Sequence, residues 1–235
     1  MKILVVTPAW NEESSIQSVI EDVRNSGYDH LVIDDGSSDS TSEFAKFAGA
    51  MVVTLPVNLG VGGALKCGFR FARERGYDAV VQVDGDGQHL ASEISRLVGH
   101  YRQTGDDLVI GSRFAANTSE FSVPILRRLP MLILSRFASH WAKRRLTDVT
   151  SGFRLIGTEL LSEFSYEFPS YFLGDTFEAT VQAARKGFSV SETSVVMRPR
   201  QQGLSSSSIG NSIGMILKAL VLAILSSRSV RSGQP

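Results

Sequence analysis

The stretch Ala79-Val-Val-Gln-Val-Asp84-Gly-Asp86-Gly-Gln88-His89 joins a β-strand pattern to polar side chains separated by glycines. Residues two apart in an extended chain point to the same side, so Asp84, Asp86 and Gln88 can direct their oxygens at one point. Such a cluster suits Mg²⁺ or Mn²⁺, hard cations that proteins hold through one or two carboxylates together with substrate phosphates. The same pattern also fits a solvated turn after a strand, so other segments must decide between the two.

Strand and helix patterns alternate on both sides of this stretch. The apolar spacing i, i+3, i+4, i+7 predicts amphipathic helices that begin near Ile16 and Ile94. Five β-rich runs predict strands buried on both faces, as in a parallel sheet: residues 3–7, 30–33, 51–55, 79–83 and 108–110. The resulting βαβαβαβαβ order predicts a doubly wound α/β domain over residues 1–112, and such sheets bind ligands at the carboxyl ends of their strands.

Composition restricts the class of protein further. The 235 residues are 43% hydrophobic, which is enough to bury a substantial core in one large domain. The 24 basic and 24 acidic residues give no net charge, which argues against nucleic-acid binding through a general basic field. Cys67 is the single cysteine, so no internal disulfide forms. The short apolar run before Pro8 is not a signal peptide, which predicts a cytoplasmic protein.

Polar and glycine-rich loops follow the first four predicted strands. Asp35 is the most informative residue in them, because a carboxylate at a strand end can accept a bond from a nucleobase N–H or a ribose hydroxyl, whereas the serines after it fit a helix N-cap. The glycines of residues 60–63 resemble a dinucleotide fingerprint only in part, since Leu65 replaces its third glycine. Four loops are therefore expected to meet at one edge of the sheet.

These segments together resemble the family 2 glycosyltransferases, and in particular the dolichol-phosphate mannose synthase-like branch that acts on polyprenyl phosphates. Seven motifs carry the resemblance, in family order: PAWNEE (8–13), DDGSSD (34–39), NLGVGGA (58–64), DGDGQH (84–89), GSR (111–113), DVTSGFR (148–154) and RQQGLS (200–205). The resemblance implies a GT-A fold, with a Rossmann-like, mostly parallel central sheet flanked by helices. It also implies a domain at residues 1–206, divided into a nucleotide-binding half (1–112) and an acceptor half (113–206), with a separate C-terminal segment at 207–235.

The resemblance assigns a role to each matching residue. The nucleoside of a sugar nucleotide would be held by Pro8, Trp10, Glu12 and Asp35. Mg²⁺ or Mn²⁺ would be held by Asp84, Asp86 and Gln88, and Gly85 would allow close approach to the diphosphate. Phosphate oxygens would be bound by Arg113 and Arg200. The cation would stabilise the charge that grows on the leaving nucleoside diphosphate. Trp10 could instead be a core residue, and either arginine could be an ordinary surface residue.

The segment 121–146 is expected to form the acceptor side. Its basic residues are interleaved with leucines and aromatic residues, a pattern typical of a helix that lies on a membrane surface. Family members place an arginine for the acceptor phosphate in this region, so Arg127 or Arg128 is the candidate. The alternative is a helix packed on the sheet with a solvated basic face.

The nucleophile separates two enzyme hypotheses. A lipid phosphate is ionised near neutral pH and needs no general base, whereas a saccharide hydroxyl needs a carboxylate to take its proton. Asp175 is located about where hydroxyl-directed relatives carry that base, although it fits a helix N-cap equally well. Asp148 and Arg154 could form an ion pair that holds the loop between them.

The C-terminal segment contains no membrane span. Residues 213–225 are apolar but are interrupted by Gly214 and Lys218, which is too short a run to cross a bilayer. An amphipathic helix is expected, with Arg228 and Arg231 near anionic headgroups. The alternative is a helix packed on the domain or on another subunit.

The sequence thus predicts an inverting, metal-dependent glycosyltransferase of cell-envelope glycan synthesis, peripheral on the cytoplasmic face of the membrane. The donor would be a GDP- or UDP-sugar and the acceptor a polyprenyl phosphate of the dolichyl or undecaprenyl type. A homodimer or a separate membrane subunit is compatible with this prediction. Transfer to a saccharide hydroxyl with Asp175 as base is the alternative among enzymes, and a non-catalytic sugar-nucleotide binding module would not need the Asp84 cluster.

Overall fold

The computed structural model describes residues 1–114, 125–169 and 175–198, without the side chains of residues 125–130 and 175. In these ranges the strands are β1 Ile3–Ala9, β2 Asp29–Asp34, β3 Met51–Thr54, β4 Ala79–Gln82, β5 Leu108–Ser112, β6 Arg154–Ile156 and β7 Val190–Ser194. The helices are α1 Ile16–Asn25, α2 Thr41–Phe47, α3 Gly60–Glu74, α4 Ile94–Thr104, α5 Ile125–Ala142, α6 Thr158–Tyr166 and α7 Asp175–Arg185, with a 3₁₀ turn at Ala91–Glu93.

The strands form one mixed sheet in the order β3-β2-β1-β4-β6-β5-β7. Strand β6 is antiparallel to both of its neighbours, β4 and β5, and the other pairings are parallel. The predicted α/β class with a mostly parallel sheet is confirmed. However, β4 and β5 are not adjacent, because β6 from the second half of the chain is inserted between them.

Helices cover both faces of the sheet because successive residues of each buried strand point to opposite sides. In β1, Leu4 and Val6 pack against α3 and α6, whereas Ile3 and Val5 pack against α1 and α4. The helix patterns predicted near Ile16 and Ile94 are confirmed as α1 and α4, whose apolar faces are buried.

Strand β3 differs from the expectation of burial on both faces. Met51 and Thr54 are exposed, and Val52 and Val53 are only half-buried. The strand lies at the edge of the sheet, where Val53 borders the core on one side and Val52 a smaller cluster on the other. The helices cover this edge strand only in part, so its apolar pattern overstated its burial.

Strands β1, β2 and β4 are parallel and therefore end at the same edge of the sheet. This register places the loops after Ala9, Asp34 and Gln82 side by side, as the sequence predicted. Within the described ranges, no helix has the length and apolar content that crossing a bilayer requires.

A buried histidine links β1 and β2 on the face of the sheet. His30 Nε2 lies 2.8 Å from the hydroxyl oxygen of Thr7, and Nδ1 has no hydrogen-bond partner in the described part of the chain. Burial lowers the pKa of His30 from 6.5 to about 4. The folded protein therefore resists protonation of a group that the unfolded chain protonates more readily.

We expect acid to destabilise the fold through His30. Between pH 6.5 and pH 4 the unfolded chain binds a proton at this position and the folded chain does not, so the free energy of unfolding falls as the pH falls. The contribution of a shift of this size is roughly 3 kcal/mol. The variant His30→Gln, which keeps a hydrogen-bonding group for Thr7 but does not titrate, should lose that part of the pH dependence in urea unfolding. If the free energy of unfolding fell equally steeply with falling pH in both proteins, His30 would not be the group responsible.

Candidate active site

The polar cluster after β4 is a tight turn and not a continuation of the strand. The strand ends at Gln82, a turn follows at Gly85 and Asp86, and Gly87 has a φ of 75°. The prediction that Asp84, Asp86 and Gln88 point to one side of an extended chain is therefore wrong for this segment. Local hydrogen bonds set their positions instead, such as the bond from the Gln88 N–H to Asp86 Oδ1 at 3.1 Å. Asp84, Asp86 and Gln88 all remain partly exposed on this turn.

The turn after β4 is in direct contact with the loop after β1. The hydroxyl of Ser15 donates to the Gly85 carbonyl at 2.7 Å. A Cβ atom on Gly85 would lie 3.4 Å from Glu12 Cγ and 3.5 Å from the Pro8 carbonyl oxygen. The backbone at Gly85, between the two carboxylates, thus lies next to two of the predicted nucleoside residues, and a Cβ atom there would be at ordinary contact distance from both.

Asp35 holds three loops together. Its N–H donates to the Ala9 carbonyl at 2.8 Å, and its Oδ1 accepts from the Leu59 N–H at 2.8 Å. The side chain is buried, and this burial raises the pKa of Asp35 despite the hydrogen bonds that stabilise its ionised form. The carboxylate therefore has structural partners that the sequence did not reveal, and its predicted role at a nucleoside stays a prediction.

Trp10 stands at the rim of this edge and is 54% exposed, so the alternative that it is a core residue is wrong. The next residue, Asn11, has a φ of 56°, and its side-chain oxygen accepts from the Ser38 N–H at 2.9 Å. Ser37 in turn accepts from the Asn11 N–H at 3.0 Å. These bonds fix the backbone that carries an exposed indole beside Glu12.

Arg113 forms a two-pronged ion pair with Asp148. Its Nε donates to Oδ2 at 2.7 Å and its Nη2 to Oδ1 at 2.8 Å, and the Asp148 side chain has no exposed surface. Burial opposes the charge on the guanidinium, but the bonds to Asp148 and the attraction of Asp148 and Asp84 raise the pKa of Arg113. The arginine is therefore a fixed positive charge near Asp84, and two of its guanidinium nitrogens already donate to Asp148.

The expected pair between Asp148 and Arg154 does not form, because Arg113 occupies the carboxylate. Arg154 is buried and donates instead to the carbonyls of Val149, Ser151 and Thr176 and to the Thr180 hydroxyl. It thereby ties the loop before β6 to the first turns of α7.

Glu192 on β7 is a supporting residue that the sequence did not single out. Its carboxylate accepts from the backbone N–H groups of Thr147 and Asp148 at 2.7 to 2.8 Å. Burial raises the pKa of Glu192, against the effect of these bonds. The available signal was a carboxylate between Ser191 and Thr193 in a largely polar strand, and it is a weak one.

The remaining predicted residues lie partly or wholly outside the described ranges. Asp175 begins α7, and Arg127 and Arg128 belong to α5, but their side chains are not described. Arg200 and the segment 207–235 lie outside the described residues. The roles predicted for them stay predictions.

Asp84, Asp86 and Gln88 are chemically suited to a hard divalent cation. Among the described residues there is no group of three or more His, Cys, Asp or Glu side chains that could hold a metal by itself. Two carboxylates with an amide form the partial oxygen set that proteins use for Mg²⁺ when substrate phosphates complete the coordination. The arrangement therefore fits a cation that binds together with a phosphorylated ligand.

We expect the variant Arg113→Ala to destabilise the protein by about 3 kcal/mol or more, because it leaves the buried Asp148 carboxylate without its counter-ion. The matched control is Arg70→Ala, which removes an exposed pair with Glu74 and should cost less than about 1 kcal/mol. Chemical denaturation measures both values. A cost for Arg113→Ala no larger than that of the control would show that the pair is not structural.

Comparison with known proteins identifies relatives along most of the chain. The model of Glycosyl transferase family 2 matches residues 4–164. The undecaprenyl-phosphate mannosyltransferase of Micrococcus luteus is 31% identical over 218 residues, which cover 89% of each protein. The UDP-N-acetylglucosamine–dolichyl-phosphate N-acetylglucosaminyltransferase of Methanococcus voltae is 28% identical over 212 residues, covering 82% of this chain and 84% of that protein.

Solved structures share the fold. Glucosyl-3-phosphoglycerate synthase from Mycobacterium tuberculosis, in complex with Mn²⁺, UDP and phosphoglyceric acid, aligns with a TM-score of 0.67 and 24% identity. The alignment covers 100% of this chain and 79% of that one. A second structure of that enzyme contains Mg²⁺ and UDP. The likeness confirms the GT-A fold that the motifs implied.

Proposed function

The chain belongs to glycosyl transferase family 2, and from that membership we propose that it moves a sugar from a nucleoside-diphosphate donor to a polyprenyl phosphate, with a divalent cation at the Asp84 turn. The observation that carries the proposal is the contact between this turn and the loop after β1. Gly85 lies against Pro8 and Glu12, so carboxylates suited to a cation adjoin residues suited to a nucleoside. A nucleoside diphosphate joins a nucleoside to a diphosphate that binds divalent cations, so one ligand can contact both sets of residues.

Support for the acceptor class comes from the relatives. The bacterial relative is named for undecaprenyl phosphate and mannose, and the archaeal relative for dolichyl phosphate and N-acetylglucosamine, so the acceptor class is shared while the sugar differs. We therefore propose the lipid phosphate as the acceptor and a GDP- or UDP-sugar as the donor.

Each part of the site has a task in this reaction. Asp84, Asp86 and Gln88 would hold Mg²⁺ or Mn²⁺, which supplies positive charge to the departing diphosphate when bound. Asp35 and Glu12 accept bonds from the nucleoside, and Trp10 covers it from the rim. Arg113, whose position Asp148 fixes, contributes a permanent positive charge close to the turn.

The proposed nucleophile explains why the described residues need not include a general base. A phosphate monoester is already ionised near neutral pH, so its oxygen can attack the anomeric carbon directly. A single displacement of this kind inverts the configuration at that carbon. The site then has to orient the two substrates and keep water from the donor, and it has no proton to remove from the acceptor.

Helix α5 provides a surface suited to a lipid acceptor. Leu134 and Ala138 face the core, so the helix packs on the domain. On the opposite side, Leu132 is 56% exposed, Ile133 is 45% exposed and Arg136 is exposed. Apolar side chains next to a basic one favour contact with an anionic membrane surface. We propose the cytoplasmic leaflet as that surface. The C-terminal segment 207–235 is proposed as a second contact.

We expect Asp86→Ala to lower the rate of sugar transfer at least about a hundredfold, because the diphosphate would lose a cation held close to it. A radiolabelled-sugar transfer assay with polyprenyl phosphate, run across a Mn²⁺ series, measures the loss. Glu21→Ala, which changes an exposed carboxylate on α1, is the control and should retain full activity. Normal turnover of Asp86→Ala without added metal would remove the site from the proposal.

We expect the double variant Leu132→Ser, Ile133→Ser to weaken binding to anionic vesicles roughly tenfold, since two partly exposed apolar side chains no longer enter the headgroup region. Phe47→Ser on α2 is the matched control, because Phe47 is 86% exposed and lies on another helix. Vesicle co-sedimentation gives both affinities. If the control lost as much binding as the double variant, the contact would not be specific to α5.

A further inference from the structure

The carboxylate of Asp84 is partly exposed, and on its protein side it contacts residues to which neither the motifs nor the comparisons assign a role. Gln82 donates from its side-chain amide to Asp84 Oδ1 at 3.1 Å, and the Asp84 N–H donates to His89 Nδ1 at 3.0 Å. Gly152 lies against the other carboxylate oxygen. Both oxygens of Asp84 therefore have protein groups around them on the side away from solvent.

The antiparallel strand β6 brings Gly152 to this position. Gln82 of β4 pairs with Arg154 of β6. In an antiparallel pair the residue numbers rise along one strand as they fall along the other, so two positions beyond this pair, on the same side of it, Asp84 stands opposite Gly152. The loop before β6 is thus brought opposite the first carboxylate of the turn.

Gly152 leaves the space that this carboxylate fills. A Cβ atom at Gly152 would lie 2.5 Å from Asp84 Oδ2 and 2.9 Å from Oδ1, which is closer than real Cβ atoms approach other atoms. Its backbone is outside the left-handed region, so a side chain would be compatible with the backbone conformation. The glycine is needed for space, and a methyl group there would move Asp84.

His89 holds the backbone of Asp84 and borders its carboxylate. Because Nδ1 accepts the Asp84 N–H, the neutral ring carries its proton on Nε2, which is 3.7 Å from Asp84 Oδ2. The ring is buried and stacks on Phe153 with centroids 4.9 Å apart and an interplanar angle of 17°. Phe153 is itself fully buried and accepts from the Gly111 N–H on β5 at 2.8 Å. His89 is thereby held by the sheet and cannot turn away from Asp84 without unstacking.

We propose that Gly152, His89 and Gln82 are positioning residues that fix the rotamer of Asp84, so that its carboxylate is set for a divalent cation before the sugar nucleotide binds. This inference rests on the proposed function, because it assumes that Asp84 is a metal ligand. Groups that orient a ligand without touching the metal commonly account for a 10- to 100-fold difference in metal affinity, about the size expected here.

Mn²⁺ binding tests the proposal without relying on catalysis. Free Mn²⁺ is titrated by electron paramagnetic resonance in the presence of UDP or GDP, and the apparent dissociation constant is compared between variants. Gly152→Ala should weaken Mn²⁺ binding by about 10- to 100-fold. The matched control is Gly99→Ala, because a Cβ atom at Gly99 on α4 would meet nothing within 4 Å, and its affinity should equal that of the wild type.

Two substitutions of His89 separate positioning from packing. His89→Phe keeps a ring to stack on Phe153 but offers no acceptor to the Asp84 N–H, and we expect it to weaken Mn²⁺ binding about tenfold. His89→Asn offers an oxygen near the position of Nδ1 and should recover most of the affinity. At saturating Mn²⁺ the KM for the sugar nucleotide should stay near the wild-type value in both variants, whereas a general loss of structure would raise it.

The outcomes distinguish this inference from the proposed function. If Asp84→Ala and Asp86→Ala lose Mn²⁺ binding while folded Gly152→Ala and His89→Phe bind as tightly as the wild type, the positioning role is overturned and the metal site stands. If Asp84→Ala and Asp86→Ala also bind Mn²⁺ like the wild type, both proposals fail. Thermal unfolding identifies a variant that does not fold. If Gly152→Ala is such a variant, the Mn²⁺ affinities of His89→Phe and His89→Asn decide whether the positioning role holds.

Discussion

The antiparallel pairing of β6 with β4 is the constraint on which the site depends. Without this strand, β4 would have β5 as its neighbour, and the first carboxylate of the turn would have nothing opposite it. With the strand, the loop at 148–153 is placed against Asp84 by register alone. That one loop supplies Asp148 for Arg113, Gly152 for Asp84 and Phe153 for His89. The mostly parallel sheet gathers the loops after β1, β2 and β4, and the reversed strand β6 places the loop 148–153 against the turn at Asp84.

Electrostatics follows from the same geometry. Asp34, Asp35, Asp84 and Asp86 all stand at one edge of the sheet. Arg113 moderates this negative charge from a position that Asp148 and, behind it, Glu192 make rigid. Within the described part of the chain, the carboxylates at this edge outnumber the anchored Arg113, which is unfavourable for a diphosphate alone but becomes favourable when a divalent cation accompanies the diphosphate. The charge balance thus fits a ligand that arrives with its metal.

The sequence predicted a large part of this arrangement because its strongest signals are local. Buried β-rich runs and helical spacing identified β1, β2 and β4 with α1 and α4, and parallel strands then required their loops to meet. What it missed depends on contacts between distant residues. Strand β6 has only three residues, which is too short for a periodic pattern to stand out, and its insertion between β4 and β5 had no local signal. The partner of Arg113 and the bond from Leu59 to Asp35 were hidden for the same reason, since residues far apart in sequence form them.

The most direct test of the central claim is the position of Mn²⁺ in a crystal soaked with MnCl₂ and a nucleoside diphosphate. Anomalous scattering near the manganese absorption edge locates the ion independently of the refined coordinates. We expect an anomalous peak within bonding distance of a carboxylate oxygen of the turn at Asp84–Asp86 and of the diphosphate, with the nucleoside against Asp35. A nucleotide bound without Mn²⁺ at that turn, or a metal and a nucleotide at some other place on the molecule, would contradict it.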